Sequence, residues 1–149
     1  MRILSLDVGD RRIGVAVSDP SCFIATGLGV IKRNGSPEDN IKAINEVLAY
    51  IEKYDVKLLV AGLPKNMDGS IGFQANKVLK FIAELEKVWD GEIITWDERL
   101  TTFSAHEVMA QKKTKIKKRK QDVDKIAACF ILQGYLDSID FKERKNKSN

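Results

Sequence analysis

The hydrophobic pattern of the sequence changes its period near residue 36, and this change restricts the fold to a small set of architectures. Before that point, short segments with strand-like patterning are separated by turn signals such as Gly9-Asp10 and Asn34-Gly35. The pattern predicts β-strands at residues 2–8, 12–18 and 24–33. Because the connections between these strands are short, we expect an antiparallel meander.

After residue 36, segments with helical spacing alternate with short apolar strands. Ser36-Pro37 is typical of a helix start, because serine caps the first amides and proline fits the first turn. We predict strands at 56–61 and 92–96, helices that begin near residues 37, 75 and 102, and a nearly all-apolar helix at 122–136. Strands that alternate with helices should be parallel. The sequence therefore predicts an α/β fold with a mixed five-stranded sheet, three antiparallel strands followed by two parallel strands, and helices on both faces.

The length of 149 residues and the composition fit one globular domain. We predict a folded domain over residues 1–140 and a basic, flexible tail over 141–149. No apolar run approaches the ~20 residues of a membrane span. Cys22 and Cys129 form no CxxC pair, so we interpret them as reduced cysteines of a cytoplasmic protein. The single histidine disfavours a histidine zinc site and a Ser-His-Asp triad.

Positive charge is concentrated near the C-terminus. The net charge is +4, and residues 111–120 hold seven basic residues and no acid, so the rest of the chain carries −3. A block of like charge is usually a solvated loop, but a run this dense often binds a polyanion. We therefore expect nucleic acid as the partner of this segment, which includes Lys117, Lys118, Arg119 and Lys120.

Three acids stand out by their positions in the predicted elements. Asp7 lies near the end of the first strand, Glu98 follows the last strand, and Asp124 opens the apolar helix. Ligands of open α/β sheets gather beyond the carboxyl ends of parallel strands, so we expect these acids to converge there. Converging carboxylates repel each other and attract cations, and oxygen ligands without Cys or His favour Mg²⁺ or Mn²⁺.

Each acid also has a simpler interpretation. Asp7 could simply be a residue before the turn at Gly9, without a chemical role. Asp124 could be a helix cap near the positive end of the helix dipole. Glu98 could form a surface ion pair with Arg99. Composition and spacing alone leave these alternatives open.

Four segments together resemble the YqgF family, also called RuvX, of small Holliday-junction-resolvase-like proteins described as nucleases of the 16S rRNA precursor. The segments are Leu6-Asp7-Val8-Gly9 with Gly14–Asp19, Gly62–Gly69 (GLPKNMDG), Asp97–Thr102 (DERLTT) and Val123–Gln133. The resemblance implies a ribonuclease H-like fold and a metal-dependent phosphodiesterase that processes the 5′ end of the 16S precursor. It also implies that Asp7, Glu98 and Asp124 are the catalytic and metal-binding acids.

The resemblance further suggests which residues contact nucleic acid. Lys65 and Asn66, with the backbone amides of their loop, are expected to hold a phosphate, and Arg99 to orient Glu98 or touch the scissile strand. Arg11 and Arg12 lie in the turn after the first strand and are expected to contact the backbone of the substrate. The expected partners are precursor rRNA, structured DNA and the small ribosomal subunit, with the protein itself a monomer or weak homodimer.

The sequence differs from true junction resolvases at one position, and three alternative functions stay open. True junction resolvases carry an acid at the end of the fourth strand, where this sequence has Gly62-Leu63-Pro64, so junction cleavage is not carried over. The alternatives are a Holliday-junction-type DNA resolvase, a non-catalytic RNA-binding assembly factor, and an actin-like ATPase. The last is disfavoured because such ATPases need two lobes of this kind.

Overall fold

The computed structural model describes the backbone of residues 1–100 and 116–147, and the side chains of residues 1–99 and 125–140. In chain order the elements are β1 (Arg2–Val8), β2 (Arg12–Ser18), β3 (Ala25–Lys32), α1 (Pro37–Lys53), β4 (Val56–Leu63), α2 (Phe73–Glu86), β5 (Glu92–Asp97), a 3₁₀ turn (Glu98–Leu100) and α3 (Ile116–Lys147). The helix predicted near 102–111 lies outside the described residues.

The five strands form one sheet in the order β3-β2-β1-β4-β5. β2 pairs antiparallel with both β1 and β3, whereas β4 pairs parallel with both β1 and β5. This arrangement confirms the predicted mixed sheet. It also brings the carboxyl ends of β1, β4 and β5 to one edge of the sheet.

Helices cover both faces of the sheet, as predicted. Leu4 and Leu6 of β1 point into the core formed with α1 and α2, whereas Ile3 belongs to the core formed with α3. Ser5 lies on the same face as Ile3, because side chains alternate along a strand. Its hydroxyl donates to the carbonyl oxygen of Ala128 in α3 at 2.7 Å, which fixes the helix against β1.

The start of α1 follows the sequence prediction. The Ser36 hydroxyl accepts from the Asp39 amide at 3.2 Å, and Pro37 occupies the first turn. The capping bond satisfies an amide that has no partner within the helix, an effect worth about 1 kcal/mol.

The last helix is much longer than predicted. The expected span was 122–136, but α3 runs from Ile116 to Lys147, through the second half of the basic segment and through most of the predicted tail. Lysine, arginine and glutamate are good helix formers, and this propensity prevails over the repulsion between like charges. α2 runs from Phe73 to Glu86 and so begins close to the predicted start near residue 75.

Within the residues that the structure describes, no helix is long and apolar enough to cross a membrane.

Candidate active site

The candidate site lies at the carboxyl edge of the three parallel strands. Asp7 is the penultimate residue of β1, and Glu98 directly follows β5. β4 lies between these two strands and ends at Leu63, which pairs with Asp97. Strand topology therefore brings together two acids that are 91 residues apart in the sequence.

Asp7 and Glu98 interact directly. The side chains of the two acids interact through a hydrogen bond that raises the pKa of Glu98. Burial is the main cause that raises the pKa of Glu98 to about 7, and the negative charge of Asp7, this hydrogen bond and the charge of Asp97 raise it further. A bound cation would act in the opposite direction and favour the ionised form of Glu98.

Arg99 is bound to Asp97, not to Glu98. Its Nη2 lies 2.6 Å from Asp97 Oδ2, and its Nη1 donates to the carbonyl oxygen of Met67 at 3.2 Å. The hydrogen bond from Arg99 is the main cause that lowers the pKa of Asp97 to about 2. The alternative of a Glu98–Arg99 surface pair is therefore wrong, whereas the expectation that Arg99 orients Glu98 or touches the scissile strand stays a prediction. Arg99 ties the end of β5 to the β4–α2 loop.

The β4–α2 loop is closed by its own hydrogen bonds. Amides of the loop donate internally, among them that of Asn66 to the carbonyl oxygen of Ser70 at 3.0 Å and that of Gly69 to the carbonyl oxygen of Asn66 at 2.8 Å. The Asn66 side chain donates to the Ser70 hydroxyl at 2.9 Å. Lys65 is half-buried, and its charge helps to lower the pKa of Asp97. A phosphate contact by this loop stays a prediction, and at these amides it would replace existing bonds.

The turn after β1 is held by residues that the sequence did not single out. Arg33 donates to the carbonyl oxygen of Gly9 at 3.0 Å, and Lys77 forms an ion pair with Asp10 at 2.9 Å. Both partners come from distant segments, so no local pattern could reveal them. Two residues here are expected to contact the backbone of the nucleic acid. Arg11 lies in this turn and is exposed, and Arg12, the first residue of β2, is half-buried.

Asp124 lies in the third turn of α3, because the helix begins at Ile116. The interpretations of Asp124 as a helix cap, and of a helix dipole acting on it, are therefore wrong. Helical spacing puts position 124 one turn before Ala128, on the stripe that faces β1. The side chains of Asp124, Lys117, Lys118, Arg119 and Lys120 lie outside the described part of the chain.

The acidic pair has the donor chemistry of a magnesium or manganese site. Mg²⁺ is commonly bound by one or two carboxylates, with waters and phosphate oxygens as its other ligands. Among the side chains described, no group of three His, Cys, Asp or Glu residues could hold a metal ion. Asp7 and Glu98 thus fit such an ion by oxygen type and mutual contact, and Asp124 is the third expected ligand.

Comparisons with known proteins agree with this fold. The protein is similar in structure to Thermus thermophilus RuvC in complex with a Holliday junction substrate, with a TM-score of 0.60, 14% identity, and coverage of 91% of this chain and 94% of that one. It is also similar to the fowlpox virus Holliday junction resolvase, with a TM-score of 0.54, 17% identity, and coverage of 93% and 99%. The fold is therefore that of the ribonuclease H-like resolvases.

Sequence comparison identifies the family. The chain belongs to the RuvX family, described as Holliday junction resolvase, which matches residues 1–138. A Clostridium tetani relative named "Putative pre-16S rRNA nuclease" is 52% identical over 139 residues, which are 93% of this chain and 98% of the relative. A Clostridium acetobutylicum relative of the same name is 50% identical over 139 residues, 93% of this chain and 100% of that one. The family and these relatives make the protein a nuclease.

Proposed function

We propose that this protein is a metal-dependent nuclease that processes the 5′ end of the 16S rRNA precursor, with Asp7, Glu98 and Asp124 as its catalytic acids. The observation that carries the proposal is the convergence of Asp7 and Glu98 at the carboxyl edge of the sheet, where their side chains interact. Two half-buried carboxyl groups in contact are costly for stability, and such costs are typical of functional sites.

The same pair argues against a protein that only binds RNA. Carboxylates beside a phosphate backbone oppose binding unless a cation lies between them. Because Glu98 is half-buried, its charge contributes little to solubility. A divalent ion would neutralise the carboxylates of both Asp7 and Glu98. Catalysis therefore explains the acids better than binding alone.

Each residue of the site has a separate proposed role. Asp7 and Glu98 would hold a divalent ion through their oxygens, with Asp124 as a further ligand from α3. When bound, such an ion lowers the pKa of water and offsets negative charge on the phosphate. Glu98 has to lose its proton for this role, and its pKa of about 7 makes that loss easy at neutral pH. Arg99 keeps Asp97 ionised and holds the β4–α2 loop at the rim of the site.

The substrate is proposed from the relatives and from the charge of the chain. Relatives that are 50–52% identical carry a pre-16S rRNA nuclease name, and they match almost the full chain. Basic residues at 117–120 would supply phosphate contacts that do not depend on sequence. The small ribosomal subunit, a cytoplasmic location and a monomeric or weakly dimeric state belong to the same proposal.

The test compares two substrates under matched conditions. Purified protein is incubated with a 16S precursor that carries its 5′ extension and with a four-way DNA junction, each with Mn²⁺ or with chelator, and Asp7→Asn serves as the control. We expect Mn²⁺-dependent cleavage of the precursor that is lost in Asp7→Asn. Cleavage confined to the junction would favour the DNA resolvase, and equal cleavage by Asp7→Asn would reject the site.

A further inference from the structure

Gly62 lies in β4, buried between the two strands that carry the acids. A Cβ atom built on it would lie 2.6 Å from Glu98 Oε1, and it would also overlap Cδ1 of Ile131 in α3. No side chain could occupy this space without displacing both neighbours, since real Cβ atoms do not approach other heavy atoms so closely.

Space, and not backbone conformation, requires glycine at this position. The glycines with positive φ among the described residues are Gly35 and Gly69, whereas Gly62 belongs to a regular parallel ladder opposite Trp96. Glycine weakens the interior of a strand and often marks a place where another group approaches closely. Here the group that approaches is the carboxyl group of Glu98.

The sheet geometry explains why this close approach is needed. β1 and β5 are not neighbours, because β4 lies between them, so their backbones are roughly 9–10 Å apart. Gly62 lies on the same face of the sheet as Val60, and Ile131 of α3 packs on this face. The Glu98 side chain therefore crosses over β4 at Gly62 to reach Asp7.

We infer that Gly62 is a positioning residue, whose missing side chain lets the acid from β5 reach the acid from β1. The space above position 62 then holds the carboxyl group that pairs with Asp7, which in this protein comes from Glu98. A carboxylate attached at position 62 would fill the space that Glu98 now occupies. This inference rests on the proposed function only in that the two acids are taken to bind metal.

The first test isolates the contact with Glu98. Ile131→Val removes Cδ1, the atom of Ile131 nearest to the added Cβ, and keeps Cγ1, whose distance of 3.1 Å requires only a small shift. The variant Gly62→Ala/Ile131→Val is therefore compared with Ile131→Val alone. We expect similar melting temperatures for the two but at least tenfold weaker Mn²⁺ binding in the double variant, measured by electron paramagnetic resonance of free Mn²⁺. Equal Mn²⁺ affinity in the two variants would overturn the inference.

The second test moves the carboxylate from one strand to another. In the Ile131→Val background, Glu98→Ala should lose Mn²⁺ binding, and Gly62→Asp/Glu98→Ala should recover it to within tenfold of the background. A merely structural role for Gly62 predicts that adding a second substitution in the core makes binding worse. Recovery therefore supports the inference, and binding no better than in Glu98→Ala contradicts it.

A measurement without metal separates this inference from the proposed function. In the metal-free Ile131→Val protein, NMR should show a nuclear Overhauser contact between the Gly62 Hα and Glu98 Hγ protons, and Gly62→Ala should change the Glu98 carboxyl chemical shift. If these signals behave as expected but no variant binds Mn²⁺, the positioning holds and the proposed function fails. An absent Gly62–Glu98 contact would overturn the inference itself.

Discussion

Arg33 donates from Nη1 to the carbonyl oxygen of Gly9 at 3.0 Å, and this bond joins the end of β3 to the turn that follows Asp7. Its Nη2 donates to Asn40 of α1 at 3.1 Å, and its guanidinium lies 5.2 Å from the ring centroid of Phe81 in α2. One side chain thus fixes the turn against two helices on the face opposite α3.

Loss of this bond should loosen the turn. Arg33→Met keeps much of the apolar contact with Phe81 but removes both hydrogen bonds, so the free energy of unfolding should fall by about 1–3 kcal/mol. Urea denaturation measures this change. Arg2→Met is the matched control, since Arg2 also lies over an aromatic ring, that of Tyr54, at 5.4 Å. An equal loss in both variants would show that the bond to Gly9 has no special role.

Glu98 should make the metal-free protein less stable as pH rises. Its pKa is raised to about 7, so the folded state holds the proton more tightly than the unfolded state does. The free energy of unfolding therefore decreases as pH rises from about 4.5 to about 7. Glu98→Gln removes this dependence, so at pH 8 the variant should be more stable than the wild type, by on the order of 2 kcal/mol. Thermal denaturation with chelator from pH 5 to pH 8 measures the effect.

Asp10→Asn provides a control with the opposite sign. The hydrogen bond from Lys77 is the main cause that lowers the pKa of Asp10, so its contribution to stability is present at neutral pH and is lost in acid. The variant should therefore be destabilised at pH 7 and not stabilised. If Glu98→Gln and Asp10→Asn changed stability in the same direction at pH 8, the raised pKa of Glu98 would be refuted.

Carboxamide variants should separate the acids proposed to bind metal from the acid that holds Arg99. Asp7→Asn and Glu98→Gln should each lower the rate of Mn²⁺-dependent cleavage by about 10³-fold, equivalent to roughly 4 kcal/mol of barrier. Asp97→Asn should lower it by about tenfold or less, because Asp97 acts on Arg99 and the loop. Single-turnover rates on precursor rRNA provide the measurement. A larger loss of cleavage rate in Asp97→Asn than in Glu98→Gln would contradict this assignment of roles.

Neutralising the basic segment should weaken RNA binding and its dependence on salt. Changing Lys117, Lys118, Arg119 and Lys120 to glutamine should reduce the slope of log K against log salt by about 0.7–0.9 for each phosphate that the protein no longer neutralises. Filter binding at several salt concentrations measures the slope. The control carries glutamine at four exposed lysines of other segments, Lys42, Lys57, Lys80 and Lys87. An unchanged slope in the first variant would remove the segment from the interface.

The meeting of Asp7 and Glu98 could be predicted because it depends on topology. The alternation of strands with helices predicted the parallel direction, and the observed order β3-β2-β1-β4-β5 puts the ends of β1 and β5 at one edge. The partner of Arg99 could not be predicted from strand alternation, because β5 ends at Asp97 and Glu98–Leu100 form a 3₁₀ turn. In this turn Arg99 pairs with Asp97, whereas the Glu98 carboxyl group lies over Gly62.

Other features depend on contacts that a sequence does not reveal. The bond between Arg33 and Gly9 joins residues 24 positions apart, and no sequence pattern links Arg33 to the Gly9 turn. The helical conformation of residues 116–120 depends on a balance between helix propensity and charge repulsion, and these effects oppose each other within one basic run. The role of Asp124, whose side chain lies outside the described residues, stays a prediction.

The strands that position Asp7 and Glu98 differ in how many hydrogen-bonded neighbours they have. β1 is hydrogen-bonded on both sides, whereas β5 lies at one edge of the described sheet and pairs, among its strands, only with β4. Outer strands open at lower free energy than central ones. Local fraying of β5 would separate Glu98 from Asp7 while the core around β1 stays intact, so on warming the nuclease should lose its catalytic competence before the chain as a whole unfolds.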